Sequence, residues 1–244
     1  MIYDFFISAI NEGRKLLAIL LDPDKLQESM LDDLIPKINE SSVDVIFIGG
    51  STVPKNATDL LVQHLRKRTS KPLVLFPGHF DQITPLADGV LFLSLLSGRN
   101  PEYLVNQQVN AVPYIENTDL EVIPTGYILV DGGKETAVQR VSGTTPIAAE
   151  NIEKISRTAT AGMYMGNKLI YLEAGSGALN PVAAEVIRSV KKKISIPLIV
   201  GGGIRSTIAL QEAYDNGADI VVIGTAFEEN SDLLTKFKKD EHIY

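Results

Sequence analysis

Tyr171-Leu-Glu-Ala-Gly-Ser-Gly177, Gly201-Gly-Gly-Ile-Arg-Ser206 and Gly224-Thr-Ala226 each close a short run of apolar and β-branched residues between Leu169 and Thr225. A strand that ends in glycine leaves its backbone N–H groups unobstructed. A helix start adds further unpaired N–H groups and a partial positive charge. Each of these turns is placed to open a helix, and three side by side would hold a phosphate without many lysines. An α/β barrel commonly builds its phosphate site from its last loops. The simpler alternative is that the glycines only make tight turns.

The rest of the chain repeats the same unit. Leu16–Leu21 is a continuous apolar run ending in Asp22-Pro23, too short for a helix, and reads as a strand buried on both faces. Further strands read over Val43–Ile48, Pro72–Phe76, Gly89–Leu95, Pro124–Val130, Lys168–Leu172, Pro197–Val200 and Asp219–Ile223. Helical spacing marks Met1–Lys15, Gln27–Glu40 (with Pro36 as a break or kink), Asn56–Arg68, Pro101–Val109, Pro146–Met165, Pro181–Lys193, Ser206–Asn216 and Phe227–Lys238. Eight strands alternating with helices, and no linker or composition shift, predict one domain over residues 1–244. The expected fold is a (β/α)₈ TIM barrel, with an open doubly wound sheet as runner-up.

One connection departs from the pattern. Pro77 to Asp88 holds Gly78 and Pro85 and no amphipathic repeat, so the third outer helix is expected to be reduced or missing. A compact sugar substrate has no use for the resulting gap; a long apolar one does.

Composition narrows the function. With 244 residues, 45% hydrophobic, the chain is long enough for a single large barrel. It has no cysteine, which excludes disulfides and thiolate metal sites and fits a cytoplasmic setting. His64, His79 and His242 are too dispersed for a histidine metal cluster or a histidine-based triad. A net charge of −7 argues against nucleic acid, and an acidic protein that binds phosphates is expected to recruit a divalent cation. Asp4 stands where a signal peptide would be basic, and no apolar run approaches the roughly 18 residues of a membrane span. The N-terminal amphipathic segment reads as a helix packed on the domain. Its polar face lacks the lysines of a membrane-surface helix, so at most a transient membrane contact is expected.

In a barrel the strand C-termini share one mouth. They are Asp22, Ser51, Phe76, Ser94, Asp131, Tyr171, Glu173, Gly202 and Gly224, and none is cationic. Asp22 and Ser51 offer hard oxygens from adjacent strands, a set Mg²⁺ accepts when water and phosphates complete its shell. The alternative is that Asp22 merely starts the Asp22-Pro23-Asp24 turn. Glu173 and Tyr171 are two residues apart and face the same way. A carboxylate beside a phosphate site repels the ligand, unless it accepts hydrogen bonds from ligand hydroxyls or takes a proton from one. The competing view is a paired structural glutamate.

Taken together, Leu20-Leu-Asp-Pro-Asp-Lys25, Phe47-Ile-Gly-Gly-Ser51, Phe76-Pro-Gly78, Phe92-Leu-Ser-Leu-Leu-Ser-Gly-Arg-Asn-Pro101, Tyr171 to Gly177 and Gly201 to Arg205 resemble the geranylgeranylglyceryl phosphate synthases and the related bacterial heptaprenylglyceryl phosphate synthases. The resemblance runs from about Leu16 to Phe227, and the block from Phe92 to Pro101 is closer to the group that holds many archaeal enzymes. It implies a barrel lacking the third helix. It implies attack of the C3 hydroxyl of sn-glycerol 1-phosphate on C1 of a prenyl diphosphate, with release of diphosphate, and the block from Phe92 to Pro101 leans toward a twenty-carbon donor, geranylgeranyl diphosphate. It places Mg²⁺ on Asp22 and Ser51, and glycerol phosphate on Tyr171, Leu172, Glu173, Ala174, Gly175, Ser176, Gly177, Gly202, Gly203, Gly224 and Thr225. Archaeal members often have Asn where this chain has Thr225. Glu173 is the expected base, while Tyr171 either steadies the developing allylic cation or binds the phosphate. A homo-oligomer, dimer or hexamer, is implied as well. The alternative reaction class is a phosphosugar isomerase or cyclase of the amino-acid-biosynthesis barrels, and a third reading is a barrel that binds phosphate without catalysis.

Overall fold

The computed structural model describes residues 1–224; Thr225 and the helix read over Phe227–Lys238 lie outside the described residues. Eight parallel strands close into a barrel in chain order. They are β1 (Leu16–Leu21), β2 (Val45–Ile48), β3 (Leu73–Leu75), β4 (Gly89–Leu95), β5 (Glu121–Leu129), β6 (Leu169–Glu173), β7 (Leu198–Gly201) and β8 (Ile220–Ile223). Closure is made by β8 on β1, with Leu16 opposite Ile220 and Ile19 opposite Ile223.

Alternation along the strands divides the core in two. Leu16, Ala18, Val45, Phe47, Val74, Leu91, Tyr171 and Ile199 fill the barrel interior. Leu17, Ile19, Leu21, Ile46, Ile48, Leu172 and Val200 face the outer helices. The helix α1 (Ile2–Asn11) buries Ile2, Phe6 and Ala9 against the interior set. Glu121, at the start of β5, accepts the Ile2 and Tyr3 N–H groups and so caps this helix. The apolar face of α1 is therefore spent on closing the N-terminal end of the barrel.

The outer helices are α2 (Glu28–Glu40), α3 (Ala57–Arg66), α4 (Gln107–Ile115), α6 (Ile152–Tyr164), α7 (Ala184–Lys191) and α8 (Thr207–Asp215). Between β3 and β4, where a regular barrel has its third outer helix, there is only a 3₁₀ turn, Phe80–Gln82. The gap expected from Pro77–Asp88 is present.

Three sequence expectations need correction. The helix expected over Pro101–Val109 begins with a π-helical segment, Glu102–Asn106, and runs on through Pro113 to Ile115. The strand read from Pro124 begins earlier, at Glu121. The Pro124 carbonyl accepts the Lys168 N–H, so its nitrogen faces the β6 side just ahead of where that strand starts, and no ladder bond is lost. The long helix read over Pro146–Met165 starts only at Ile152, capped by the Asn151 side chain. Before it, Ile147 bridges Val130, and a short helix α5 (Ala137–Ser142) crosses the barrel mouth.

Candidate active site

The inward parity of β6 continues to its last residue, so Tyr171 and Glu173 both point into the barrel mouth. The facing turn after β7 must leave them room. A Cβ on Gly201 would fall 2.5 Å from the Tyr171 hydroxyl, and one on Gly202 2.4 Å from Glu173 Oε1. Gly202 also has φ +83°, a conformation that disfavours side chains. Two of the glycines read as bare phosphate turns are thus glycine because Tyr171 and Glu173 occupy the adjoining space.

Glu173 is 5% exposed and its Oε1 accepts the Gly175 N–H at 2.6 Å. It makes no ion pair among the described residues; its partner there is the Gly175 N–H. Burial pushes its carboxyl up to about 7, against the Gly175 N–H and the nearby Tyr171 hydroxyl, both of which favour the anion. The Tyr171 hydroxyl is close enough to Glu173 to act on it, yet its geometry falls short of a hydrogen bond, and the buried oxygen has no partner among the described residues. Its ring stacks on Phe76 at 5.2 Å, with Tyr127 edge-on at 5.4 Å. Burial raises the Tyr127 and Tyr171 phenols far above their usual range, so both stay neutral.

Above Glu173, Gly175 (φ +103°), Ser176 and Gly177 (φ +73°) form an open turn that lines the same cavity as Gly202, Gly203 and Gly224. A Cβ on Gly177 would meet nothing within 4 Å. The turns differ from expectation in their helices. The β7 turn does open one directly, with Ser206 Oγ accepting the Ala209 N–H to cap α8. The β6 turn is separated from α7 by the stretch Ser176–Ala183. Leu172 and Ala174, also placed on the glycerol phosphate by resemblance, do not line the cavity. The Leu172 side chain packs outward, and the Ala174 N–H is already bonded to the Gly201 carbonyl.

Asp22 continues the inward parity of β1 and lines the cavity with Ser51. A Cβ on Gly50 would fall 2.5 Å from Asp22 Oδ1, and one on Gly78 2.5 Å from the Gly50 carbonyl. Glycine at both places lets the β2 turn nest between the carboxylate and the β3 turn. Asp22 Oδ1 accepts the Asp24 N–H at 3.1 Å, so the turn-starting role is real, while Oδ2 lies 3.6 Å from Lys25 Nζ. Burial raises the Asp22 carboxyl above its usual range, with Asp24 N–H and Lys25 opposing. Among the described residues no group of three or more histidine or carboxylate side chains could hold a metal unaided. The donor set fits an ion completed by ligand phosphates and water.

One cavity of about 470 Å³ joins all of these groups. It runs from Ser176 and Gly203, past Asp22 and Glu173, over Phe76 and Tyr127, to the flank left open between β3 and β4. There Phe80, Gln107 and Ala111 line it, with Phe80 packed 5.8 Å from Tyr114 and its N–H held by Gln107 Oε1. The helix α5 covers it with Ala137, Val138 and Val141. Sequence reading missed the cations, because it inspected strand ends only. Lys25, Lys134, Arg140 and Arg205 reach the cavity from the loops beyond them. The motifs Asp22-Pro-Asp-Lys25 and Gly203-Ile-Arg205 carried that signal for two of the four.

A family model described as the PcrB family matches residues 9–241. The chain is similar to the geranylgeranylglyceryl phosphate synthase of Flavobacterium johnsoniae, at 53% identity over 230 residues, 94% of this chain and 95% of that protein. It is 38% identical to the enzyme of the same name from Korarchaeum cryptofilum, over 93% of each chain. Among solved structures, (S)-3-O-geranylgeranylglyceryl phosphate synthase from Thermoplasma acidophilum, in complex with sn-glycerol-1-phosphate, superposes with a TM-score of 0.90. It is 31% identical, over 96% of this chain and 94% of that one.

Proposed function

The chain belongs to the PcrB family, and on that premise we propose that it is a Mg²⁺-dependent prenyltransferase that joins sn-glycerol 1-phosphate to geranylgeranyl diphosphate. The observation that carries this reading is the shape of this cavity: glycine turns at one end, a buried carboxylate beneath them, and an apolar passage to a missing helix at the other.

The acceptor phosphate rests on the N–H groups of Ser176, Gly177 and Gly203, with Gly224 beside them, and Arg205 supplies charge. The Tyr171 hydroxyl, without a hydrogen-bond partner among the described residues, finds one on the acceptor. Since one face of the Tyr171 ring is covered by Phe76, its role is to position the acceptor through its hydroxyl. Asp22 and Ser51 hold Mg²⁺, which supplies charge neutralisation to the departing diphosphate. Lys25 stands 3.6 Å from Asp22 as a resident counter-cation in the same place.

In the reaction the C3 oxygen bonds to C1 as the C1–oxygen bond breaks, its electron pair leaving with diphosphate. The hydroxyl proton passes to Glu173. A carboxyl titrating at about 7 is matched to that task near neutral pH. Neutral alcohols are poor nucleophiles, so holding the hydroxyl in line contributes much of the rate. Burying the tail along Phe80 and Ala111 contributes on the order of 0.8 kcal/mol per CH₂.

A phosphosugar isomerase or cyclase is less well supported. It needs an acid and a base across a compact cavity, whereas this cavity continues into an apolar passage that opens where the third outer helix is missing. Incubation with sn-glycerol 1-phosphate, geranylgeranyl diphosphate and Mg²⁺ is expected to release diphosphate only when all three are present. No release under those conditions would overturn the proposal. The same assay with sn-glycerol 3-phosphate reads the handedness of the acceptor turn.

A further inference from the structure

Two loops that serve opposite ends of the cavity are fastened together at one residue. Gly175 lies in the acceptor turn, and its N–H holds Glu173 Oε1 at 2.6 Å. Its α-carbon is covered by Thr136: a Cβ at Gly175 would fall 2.0 Å from the Thr136 methyl carbon and 2.8 Å from its Cβ. Thr136 is itself buried, 2% exposed, and its Oγ1 accepts the Gln139 N–H at 3.2 Å, which caps α5. The neighbouring backbone is fastened too. The Gly132 carbonyl accepts both the Leu179 and the Asn180 N–H, at 3.0 and 3.1 Å.

The far end of α5 is tied elsewhere. The Val141 carbonyl accepts the Tyr103 hydroxyl at 3.2 Å, and the Ser142 carbonyl accepts the Asn100 amide at 3.0 Å. Tyr103 lines the apolar part of the cavity, as do Ala137, Val138 and Val141 of α5. This helix thus bridges the acceptor turn and the wall of the apolar passage. It has only six residues, too few to hold itself without its caps and ties.

We propose that Thr136 is a positioning residue that couples the two substrate sites, so that filling the acceptor turn fixes α5 over the donor and raises donor affinity. The inference rests on the function proposed above and adds to it a linkage and the residue that carries it. An acceptor phosphate on Ser176 and Gly177 orders Gly175; Gly175 fixes the Thr136 methyl; Thr136 holds the first turn of α5. The linkage serves the chemistry. An allylic diphosphate ionised without an acceptor would be captured by water, and a cover completed only by the acceptor excludes that water. By reciprocity the donor must raise acceptor affinity by the same factor.

The test measures binding by calorimetry, with Mg²⁺ present, of an unreactive geranylgeranyl diphosphate analogue whose C1–oxygen bond is replaced by carbon. It is made with and without sn-glycerol 1-phosphate. The parent is expected to bind the analogue about 5-fold more tightly with the acceptor present, at the lower end of common couplings. In Thr136→Ser the cap is kept and the methyl lost, and the enhancement is expected to fall below about 2-fold while the affinity without acceptor holds; the melting temperature should drop only by the few degrees that one buried methyl costs. Thr136→Val keeps the methyl and loses the cap, so analogue affinity should fall with or without acceptor. Equal affinity in the parent with and without acceptor, or full enhancement in Thr136→Ser, would overturn the coupling alone. An analogue that does not bind the parent at all would overturn the function itself, and the coupling with it.

Discussion

Replacing Glu173 by Gln should stop turnover and yet make the protein more stable at neutral and alkaline pH. The carboxyl is buried and titrates at about 7 rather than at 4.5. A raised carboxyl stabilises the folded state below the unfolded value, and this stability is lost as pH rises from about 4.5 through 7. The difference of 2.5 units corresponds to about 3 kcal/mol at pH 8, an upper bound because the surroundings of the buried anion relax. Gln cannot ionise, retains an oxygen for the Gly175 N–H, and matches the side chain in size. Thermal melts of parent and Glu173→Gln from pH 4 to 8.5 should therefore diverge progressively from about pH 4.5 to 7 and run parallel above that. The variant should gain several degrees at pH 8 for a chain of this size. Activity of the parent should rise with pH through about 7 as the base forms. A variant no more stable than the parent at pH 8, or a gain that is the same at every pH, would refute the reasoning. The first result would mean that the anion is held by groups that offset its burial.

Further outcomes follow from the same geometry. Asp22→Asn should lower activity by about 100-fold or more and move the Mg²⁺ optimum to higher concentration, read as diphosphate release against metal. Chelation of the parent should abolish release, and added Mg²⁺ restore it. Gly202→Ala places a methyl 2.4 Å from Glu173 Oε1 at φ +83°, and should destabilise the fold by roughly 1–3 kcal/mol in chemical denaturation and weaken the acceptor more than the donor. Tyr171→Phe removes a buried oxygen that has no hydrogen-bond partner among the described residues, so the melting temperature should hold or rise while the acceptor KM increases about 10-fold.

Much of the fold was legible because each strand is a short apolar run and each turn carries its own punctuation. The gap at Pro77–Asp88 was readable from spacing alone, since the connection has too few residues and no amphipathic repeat. What escaped was set by contacts distant in sequence. Pro124 lies inside β5 because β6 has not yet begun beside it, a fact no local pattern contains. The helix α5 did leave a trace: Thr136-Ala-Val-Gln139 has the form of a capping box, and Gly143 closes the helix at φ +63°. It was overlooked because a six-residue helix shows no full hydrophobic period. At the site, seven of the nine residues expected from strand ends gather in one cavity. Ser94 and Asp131 do not: the Ser94 hydroxyl donates to the Leu104 carbonyl, and Asp131 Oδ1 accepts the Gly133 N–H. The reason for two of the glycines also differed. Gly201 and Gly202 are small on account of Tyr171 and Glu173, which only the register of β6 against β7 reveals. Leu172 and Ala174 belonged to the motif and not to the cavity, as strand alternation alone would have said.

The geometry on which everything depends is that the acceptor turn delivers a hydroxyl to Glu173. A crystal structure of the chain with sn-glycerol 1-phosphate measures it directly. The expected result is phosphate on the N–H groups of Ser176, Gly177 and Gly203, with the C3 hydroxyl in hydrogen-bond reach of Glu173 and turned toward Asp22. Phosphate seated elsewhere, or a C3 hydroxyl facing away from Glu173, would contradict the account.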